Sequence, residues 1–153
     1  MQRHWRTRPV VAHNTNRQGA NFELDVMHYL AGTKPDKWGP GFGYTCLRSS
    51  GSKGKIDVLA IPQEAPLSWE RDAYPANAGL LFIQCKITAT PLRSPLSPTE
   101  RMHLMDLALR ANALALTASK ALDIVTGRVR PHFRQLTGPG ARDWLPWEPG
   151  EDS

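Results

Sequence analysis

The sequence predicts a single domain of the α/β class, with a mixed β-sheet flanked by helices. Three observations predict this class. The chain has 153 residues, which fits one domain with one core. Hydrophobic residues make up 41% and charged residues 22% of it, as in ordinary globular proteins. Helical and strand patterns follow one another in the order α-β-β-β-α-β-β, and strands separated by a helix in this way are typical of a mixed sheet.

In the first half of the chain the sequence pattern predicts one helix and two strands. The helix spans Arg17 to Ala31 and is followed by Gly32 and Pro35. Its apolar residues recur at i, i+4, i+7 and i+8, on one helical face. They are Phe22, Val26, Tyr29 and Leu30. Strands are predicted at 44–48 and 56–61, on either side of a polar loop, and the proline-containing residues 62–78 are predicted to be an inserted surface loop.

The second half predicts a strand at 80–87, a second helix and two further strands at 114–118 and 130–136. Ser97, Pro98 and Glu100 match a capping box with proline at the first helical position, so the helix begins there. Its apolar residues predict a face that packs in the core or against another subunit. They are Met102, Leu104, Met105 and Leu109, with Ala113 at the same spacing.

Both ends of the chain are predicted to lie outside the folded domain, which spans 16–137. Residues 1–15 contain arginines and no acidic residue, and we expect a flexible basic arm. Residues 138–153 are acidic and rich in proline and glycine, and we expect a tail. Its Trp144 and Trp147 are expected either to pack across a dimer or to cover an apolar patch.

The charge of the chain favours a polyanionic partner. The formal net charge is +5 and the isoelectric point about 9.6. Charge by itself leaves nucleic-acid binding and simple solubility equally open. No apolar stretch is long enough to span a membrane and the first residues do not resemble a signal peptide, so we expect a soluble, intracellular (cytoplasmic) protein. Cys46 and Cys85 are predicted to be buried free thiols.

A group of polar residues is predicted at the ends of two neighbouring strands. Gln84 and Lys86 lie two positions apart and therefore point to the same side of their strand. Asp57 interrupts an otherwise apolar strand, and it lies beside them if the two strands pair. Singly, each residue fits an exposed strand position, but together they can hold a metal ion and a phosphate. No phosphate-binding loop or zinc-ligand spacing occurs, so no nucleotide cofactor and no zinc site are expected.

These residues resemble the PD-(D/E)xK nuclease pattern, in which an aspartate on one strand precedes an x-Lys pair on the next. Within that superfamily the chain is most similar to the archaeal-type Holliday junction resolvases. The similarity covers about Arg17 to Leu136 and rests on four sequence blocks in the family's order. The blocks are 17–23 (RQGANFE), 48–53 (RSSGSK), 56–60 (IDVLA) and 82–88 (FIQCKIT).

The resemblance implies a restriction-endonuclease-like core and a homodimer that cuts four-way DNA junctions with paired, symmetric cuts. It implies a Mg²⁺ site, with Mn²⁺ able to substitute, and a lysine that orients or deprotonates the attacking water. The implied metal ligands are Glu23, Asp57, Gln84 and the carbonyl of Cys85, the lysine is Lys86, and the phosphate-binding serine is Ser52, with Ser49 as the alternative. The implied DNA-binding residues are Arg17 and Arg48, and basic surface is also expected from Lys53, Lys55, Arg93 and Arg101.

The chain departs from the family at two positions. Gln84 stands where the family usually has glutamate, and an amide offers a metal ion an oxygen without a negative charge. Leu24 stands where a basic residue is common, so a DNA contact from that position is not expected. Two alternatives remain: a nuclease of the same fold that acts on other DNA in restriction or repair, and a junction-binding protein whose catalysis was lost through Gln84.

Overall fold

A computed structural model describes residues 19–49, 56–63, 79–87, 94, 96–122 and 124–150. Helix α1 covers 19–31, α2 is Pro35–Trp38 and α3 is Pro98–Ala111. The strands are β1 Tyr44–Arg48, β2 Val58–Pro62, β3 Leu81–Cys85, β4 Leu114–Leu122, β5 Val129–Leu136 and β6 Trp144–Trp147. The predicted arm, most of the inserted loop and the loop 50–55 lie outside the described residues.

The six strands form one mixed sheet in the order β1-β2-β3-β4-β5-β6. β3 and β4 are parallel, and every other neighbouring pair is antiparallel. A parallel pair needs a crossover connection, and α3 makes it between β3 and β4. The mixed α/β class is therefore confirmed, as is the predicted pairing of the second and third strands. The structure adds α2 and β6, and extends β4 to Leu122, past the predicted end at 118.

Helices α1 and α3 cover opposite faces of the sheet. Phe82 and Ile83 are consecutive on β3, so their side chains point to opposite faces, and they belong to two different core clusters. The cluster with Ile83 contains the α1 residues Phe22, Val26 and Leu30. The cluster with Phe82 contains the α3 residues Leu104 and Ala108. The ends of β2 and β3 consequently lie between the two helices.

The buried face of α3 differs from the predicted one. The capping box is present, because Ser97 and Glu100 bond to each other's backbone N–H. Leu104 is buried as expected, but Met102 is 50% and Leu109 78% exposed. For these two residues the core contact, one of the two predicted roles, is wrong, because the helix is turned so that Arg101 enters the interior instead.

Arg101 stabilises the fold and is not part of the expected basic surface. Arg101 is only 2% exposed. Nη1 donates to the carbonyl of Leu96 at 2.6 Å, and Nε and Nη2 both donate to the carbonyl of Pro139. The guanidinium therefore joins the segment before α3 to the segment after β5, and it cannot contact DNA phosphates from this position. Arg93, expected on the same surface, lies outside the described residues.

The segment expected to be a tail contributes an edge strand. β6 pairs antiparallel with β5, with Trp144 opposite Leu136. Trp147 packs edge-on against the ring of Phe133, with 5.5 Å between ring centroids. Of the two expectations for this tryptophan, the contact supports the one in which it covers apolar surface of its own chain.

The remaining expectations concern the cysteines and the membrane. Both cysteines are free and partly buried. Burial raises the pKa of the Cys46 thiol to about 11, and burial together with Asp57 and Glu23 raises that of Cys85 well above its usual value. Both thiols therefore stay protonated at neutral pH. None of the helices in the described residues is long and apolar enough to cross a membrane.

Candidate active site

Asp57 is anchored to the end of β3 by two hydrogen bonds. It immediately precedes β2, and its backbone N–H donates to the carbonyl of Ile83 at 2.9 Å. Its Oδ2 accepts the backbone N–H of Cys85 at 2.8 Å. The carboxylate is thus fixed beside the residues on either side of Cys85, namely Gln84 and Lys86. The strand pairing predicted from the sequence places these three residues together.

Gln84 and Lys86 bind the same carboxylate oxygen. Nε2 of Gln84 donates to Oε2 of Glu100 at 3.2 Å, and Nζ of Lys86 donates to the same atom at 3.1 Å. The two side chains therefore lie on one side of the strand, facing the first turn of α3. The backbone N–H of Lys86 donates to the carbonyl of Ala118 on β4, which fixes the lysine where β3 ends.

Glu23 reaches the site from α1, on the other face of the sheet. Its Oε1 accepts a hydrogen bond from Nε of Arg48 at 2.9 Å. The glutamate side chain is 15% and the arginine side chain 34% exposed. Arg48, which the resemblance assigns to DNA, is thus engaged by a carboxylate in this structure, and a DNA phosphate has to compete with Glu23 for it.

The carboxylates of the site influence one another. The pKa of Asp57 is raised, first by burial and also by the negative charges of Glu23 and Glu100, although the Cys85 N–H and Lys86 oppose the rise. For Glu100, partial burial favours the neutral acid, but hydrogen bonds from Ser97 and Lys86 outweigh it and lower the pKa. A cation placed between these carboxylates would relieve their repulsion.

The donor atoms fit a hard divalent cation. Carboxylate and amide oxygens are the ligands that Mg²⁺ prefers. Oε1 of Gln84 is buried and has no hydrogen-bond partner among the described residues, so it is an oxygen acceptor that lacks a donor or a cation. Across the described ranges, no three histidine, cysteine, aspartate or glutamate side chains are already grouped closely enough to hold a metal ion. Glu23 and Glu100 are held by Arg48 and Lys86, with which a cation has to compete.

Several residues that the sequence assigns to the site cannot be placed. Arg17, Ser52, Lys53 and Lys55 lie outside the described residues. Ser49, the alternative phosphate-binding serine, is described, and its backbone N–H donates to the carbonyl of Asp57 at 3.0 Å. Ser49 therefore lies at the start of β2, next to Asp57, the aspartate to which the resemblance gives a catalytic role.

Glu100 was assigned only to the capping box in the sequence analysis. That assignment is correct but incomplete, because Oε1 caps the helix through the Ser97 N–H while Oε2 binds Gln84 and Lys86. A helix that connects two parallel strands begins near the carboxyl end of the first strand, which brings the first turn of α3 to Lys86, but the sequence does not indicate that β3 and β4 are parallel. Residues 88–97 contain prolines and no periodicity, so the return of Glu100 to Lys86 was not predictable from them.

Comparison with known proteins does not identify a family for this chain. No protein-family model matches it, and no curated protein is significantly similar to it in sequence.

Proposed function

We propose that this protein is a metal-dependent endonuclease of the PD-(D/E)xK type that resolves four-way DNA junctions. The observation that carries the proposal is the meeting of Asp57, Gln84 and Lys86 at the ends of two paired strands, with Glu23 on the neighbouring helix. These are the residues that the sequence resemblance names, and they come from three separate segments. Their convergence supports a hydrolytic site better than it supports a purely structural ion cluster, which would not need the orphaned oxygen of Gln84.

The side chains have complementary roles in this proposal. Glu23, Asp57 and Gln84, with the carbonyl of Cys85, would hold Mg²⁺ or Mn²⁺. When bound, the ion supplies an acidified water and offsets charge on the scissile phosphate. Lys86, 35% exposed and next to these ligands, would orient the attacking water and neutralise phosphate oxygens as negative charge develops on them. Asp57 keeps its geometry through the Cys85 N–H, so the reacting groups are preorganised.

Basic and aromatic side chains on the α1 side of the sheet support binding of a polyanion. A groove of about 780 Å³ lies between α2 and the turn that joins β4 to β5. Its lining includes Lys37, Trp38, Arg128 and Arg130. The Lys37 side chain is 63% exposed, and Arg130 is held by Glu148 at 2.9 Å. Such cations bind DNA phosphates without reading sequence, which is the recognition a junction enzyme needs.

A homodimer is part of the proposal. A junction resolvase cuts two opposed strands of a substrate with twofold symmetry, and a twofold dimer offers two identical sites to it. The oligomeric state in solution is measured by analytical ultracentrifugation with and without junction DNA.

The deciding experiment compares cleavage of a synthetic four-way junction with cleavage of its arms as linear duplexes, over titrations of Mg²⁺ and Mn²⁺. We expect paired cuts in the junction only. Lys86→Ala should lower the cleavage rate by about 10²- to 10³-fold or more while leaving junction affinity largely unchanged. Arg110→Ala, at a 74% exposed position on α3 outside the site and the groove, is the matched control and should cut normally.

Other outcomes would replace the proposal. Equal cleavage of junction and linear arms indicates a nuclease for restriction or repair. Tight binding of the junction without cuts, at any concentration of either metal, indicates a junction-binding protein that lost catalysis through Gln84. If Lys86→Ala loses junction binding together with cleavage while its melting temperature falls, the lysine is structural.

A further inference from the structure

We propose that Glu100 is a ligand of the divalent cation and supplies the carboxylate that β3 lacks at position 84; this inference rests on the proposed function. The strand offers an amide where a charged ligand would be expected from the resemblance. The structure brings a carboxylate to that amide from a different element, the first turn of α3, at 3.2 Å from Gln84 Nε2. Compared with the family's pattern, the carboxylate is supplied by the helix instead of the strand, at the same site.

The capping box gives the Glu100 carboxylate a fixed orientation. Oε1 accepts the backbone N–H of Ser97 at 3.1 Å, and the Ser97 hydroxyl accepts the backbone N–H of Glu100 at 3.1 Å. With Oε1 occupied in this way, Oε2 is directed towards β3. A ligand that is held by a second hydrogen bond loses little freedom when it binds a cation, so the capping box preorganises it.

The orphaned oxygen of Gln84 is the independent observation that points to a cation at this place. The Gln84 amide donates through Nε2 to Glu100, and among the described residues its buried Oε1 has no donor. A cation bound by Glu100 beside Gln84 would give that oxygen a partner.

A simpler role for Glu100 has to be separated from this one. Because Oε2 also accepts from Lys86 Nζ, the glutamate could act only by positioning the lysine. The two roles differ when the lysine is absent. A cation ligand still matters to metal binding in a Lys86→Ala background, whereas a group that acts only through Lys86 no longer does.

The test measures Mn²⁺ binding by isothermal titration calorimetry to the full chain, with junction cleavage measured in parallel. Glu100→Gln is the main variant, because glutamine at this position still completes a capping box and preserves the helix. Asp106→Asn is the matched control, since it is an acid-to-amide change on the exposed side of the same helix, where Asp106 pairs with Arg110. Gln84→Glu combined with Glu100→Gln returns the carboxylate to the strand.

We expect Glu100→Gln to weaken Mn²⁺ binding by about tenfold or more, and by the same factor in the Lys86→Ala background. Asp106→Asn should bind as the wild type does, and the double variant should regain most of the lost affinity. Unchanged binding in Glu100→Gln overturns the inference, as does a loss that disappears in the Lys86→Ala background or a double variant that regains nothing. A wild-type protein that neither binds Mn²⁺ nor cuts junctions overturns the proposed function, and this inference with it. A wild type that does both while Glu100→Gln matches it overturns the inference alone.

Discussion

Replacing Arg101 tests whether this arginine stabilises the fold or binds DNA. In the structure its guanidinium donates three hydrogen bonds to two backbone carbonyls, those of Leu96 and Pro139, and the residue is almost fully buried. Arg101→Ala removes these charge-assisted bonds and leaves both carbonyls without their donor. Hydrogen bonds to charged groups contribute about 1.5–3 kcal/mol, and the buried Leu96 carbonyl left without its donor costs about 1–3 kcal/mol, so a loss of about 3–5 kcal/mol is expected.

For a chain of this size, 1 kcal/mol changes the melting temperature by about 2–4 °C, so Arg101→Ala should lower it by roughly 6–20 °C. Thermal unfolding followed by circular dichroism measures the change. Arg110→Ala is the control on the same helix, because that side chain is 74% exposed and its pair with Asp106 contributes little. Below its melting temperature, Arg101→Ala should bind junction DNA as the wild type does. A variant that melts normally but has lost DNA affinity would refute the structural role.

Two further predictions concern stability. Because folding raises the pKa of Asp57, the charged form of Asp57 destabilises the folded state above that pKa. Asp57→Asn should therefore raise the melting temperature at pH 7. This gain should shrink as the pH falls towards the usual pKa of 3.8, because the wild-type Asp57 then becomes neutral as well. A lower melting temperature at pH 7 would contradict this. Leu104→Ala, at a site with no exposure, should cost about 2–5 kcal/mol, whereas Leu109→Ala, at a 78% exposed site, should stay within about 0.5 kcal/mol, as urea denaturation can measure. Equal losses of stability in the two variants would mean that Leu109 is buried as well, as the sequence pattern predicts.

Local signals were sufficient for much of the fold. The strand at Tyr44–Arg48 was predicted with its exact bounds, and the capping box located the start of α3. Both depend on the residues of the segment itself: alternation and flanking turns for the strand, and short-range hydrogen bonds for the cap. The buried face of α1 was predictable for the same reason, because the residues at i, i+4, i+7 and i+8 are all apolar.

The predictions that failed depended on partners distant in the sequence. The face of α3 is set by Arg101, which reaches a carbonyl that lies 38 residues away. Four apolar residues outnumber one arginine in any pattern analysis, yet the arginine is the buried residue, because its guanidinium donates to the carbonyls of Leu96 and Pro139. β6 was missed in the same way: four residues with a proline among them show no strand period, and they become a strand by pairing with β5.

The charges of the candidate site make an amide at position 84 compatible with the proposed catalysis. Glu23, Asp57 and Glu100 contribute three negative charges, and Arg48 and Lys86 contribute two positive charges, which leaves a formal charge of −1. A site of this charge repels a phosphodiester. A bound divalent cation changes the formal charge to +1, so the same site then attracts one. A glutamate at position 84 in addition to Glu100 would leave the loaded site neutral, and the attraction for the substrate would be lost. If Glu100 is a cation ligand as proposed, an amide on β3 leaves the loaded site with a net positive charge, which a phosphate requires.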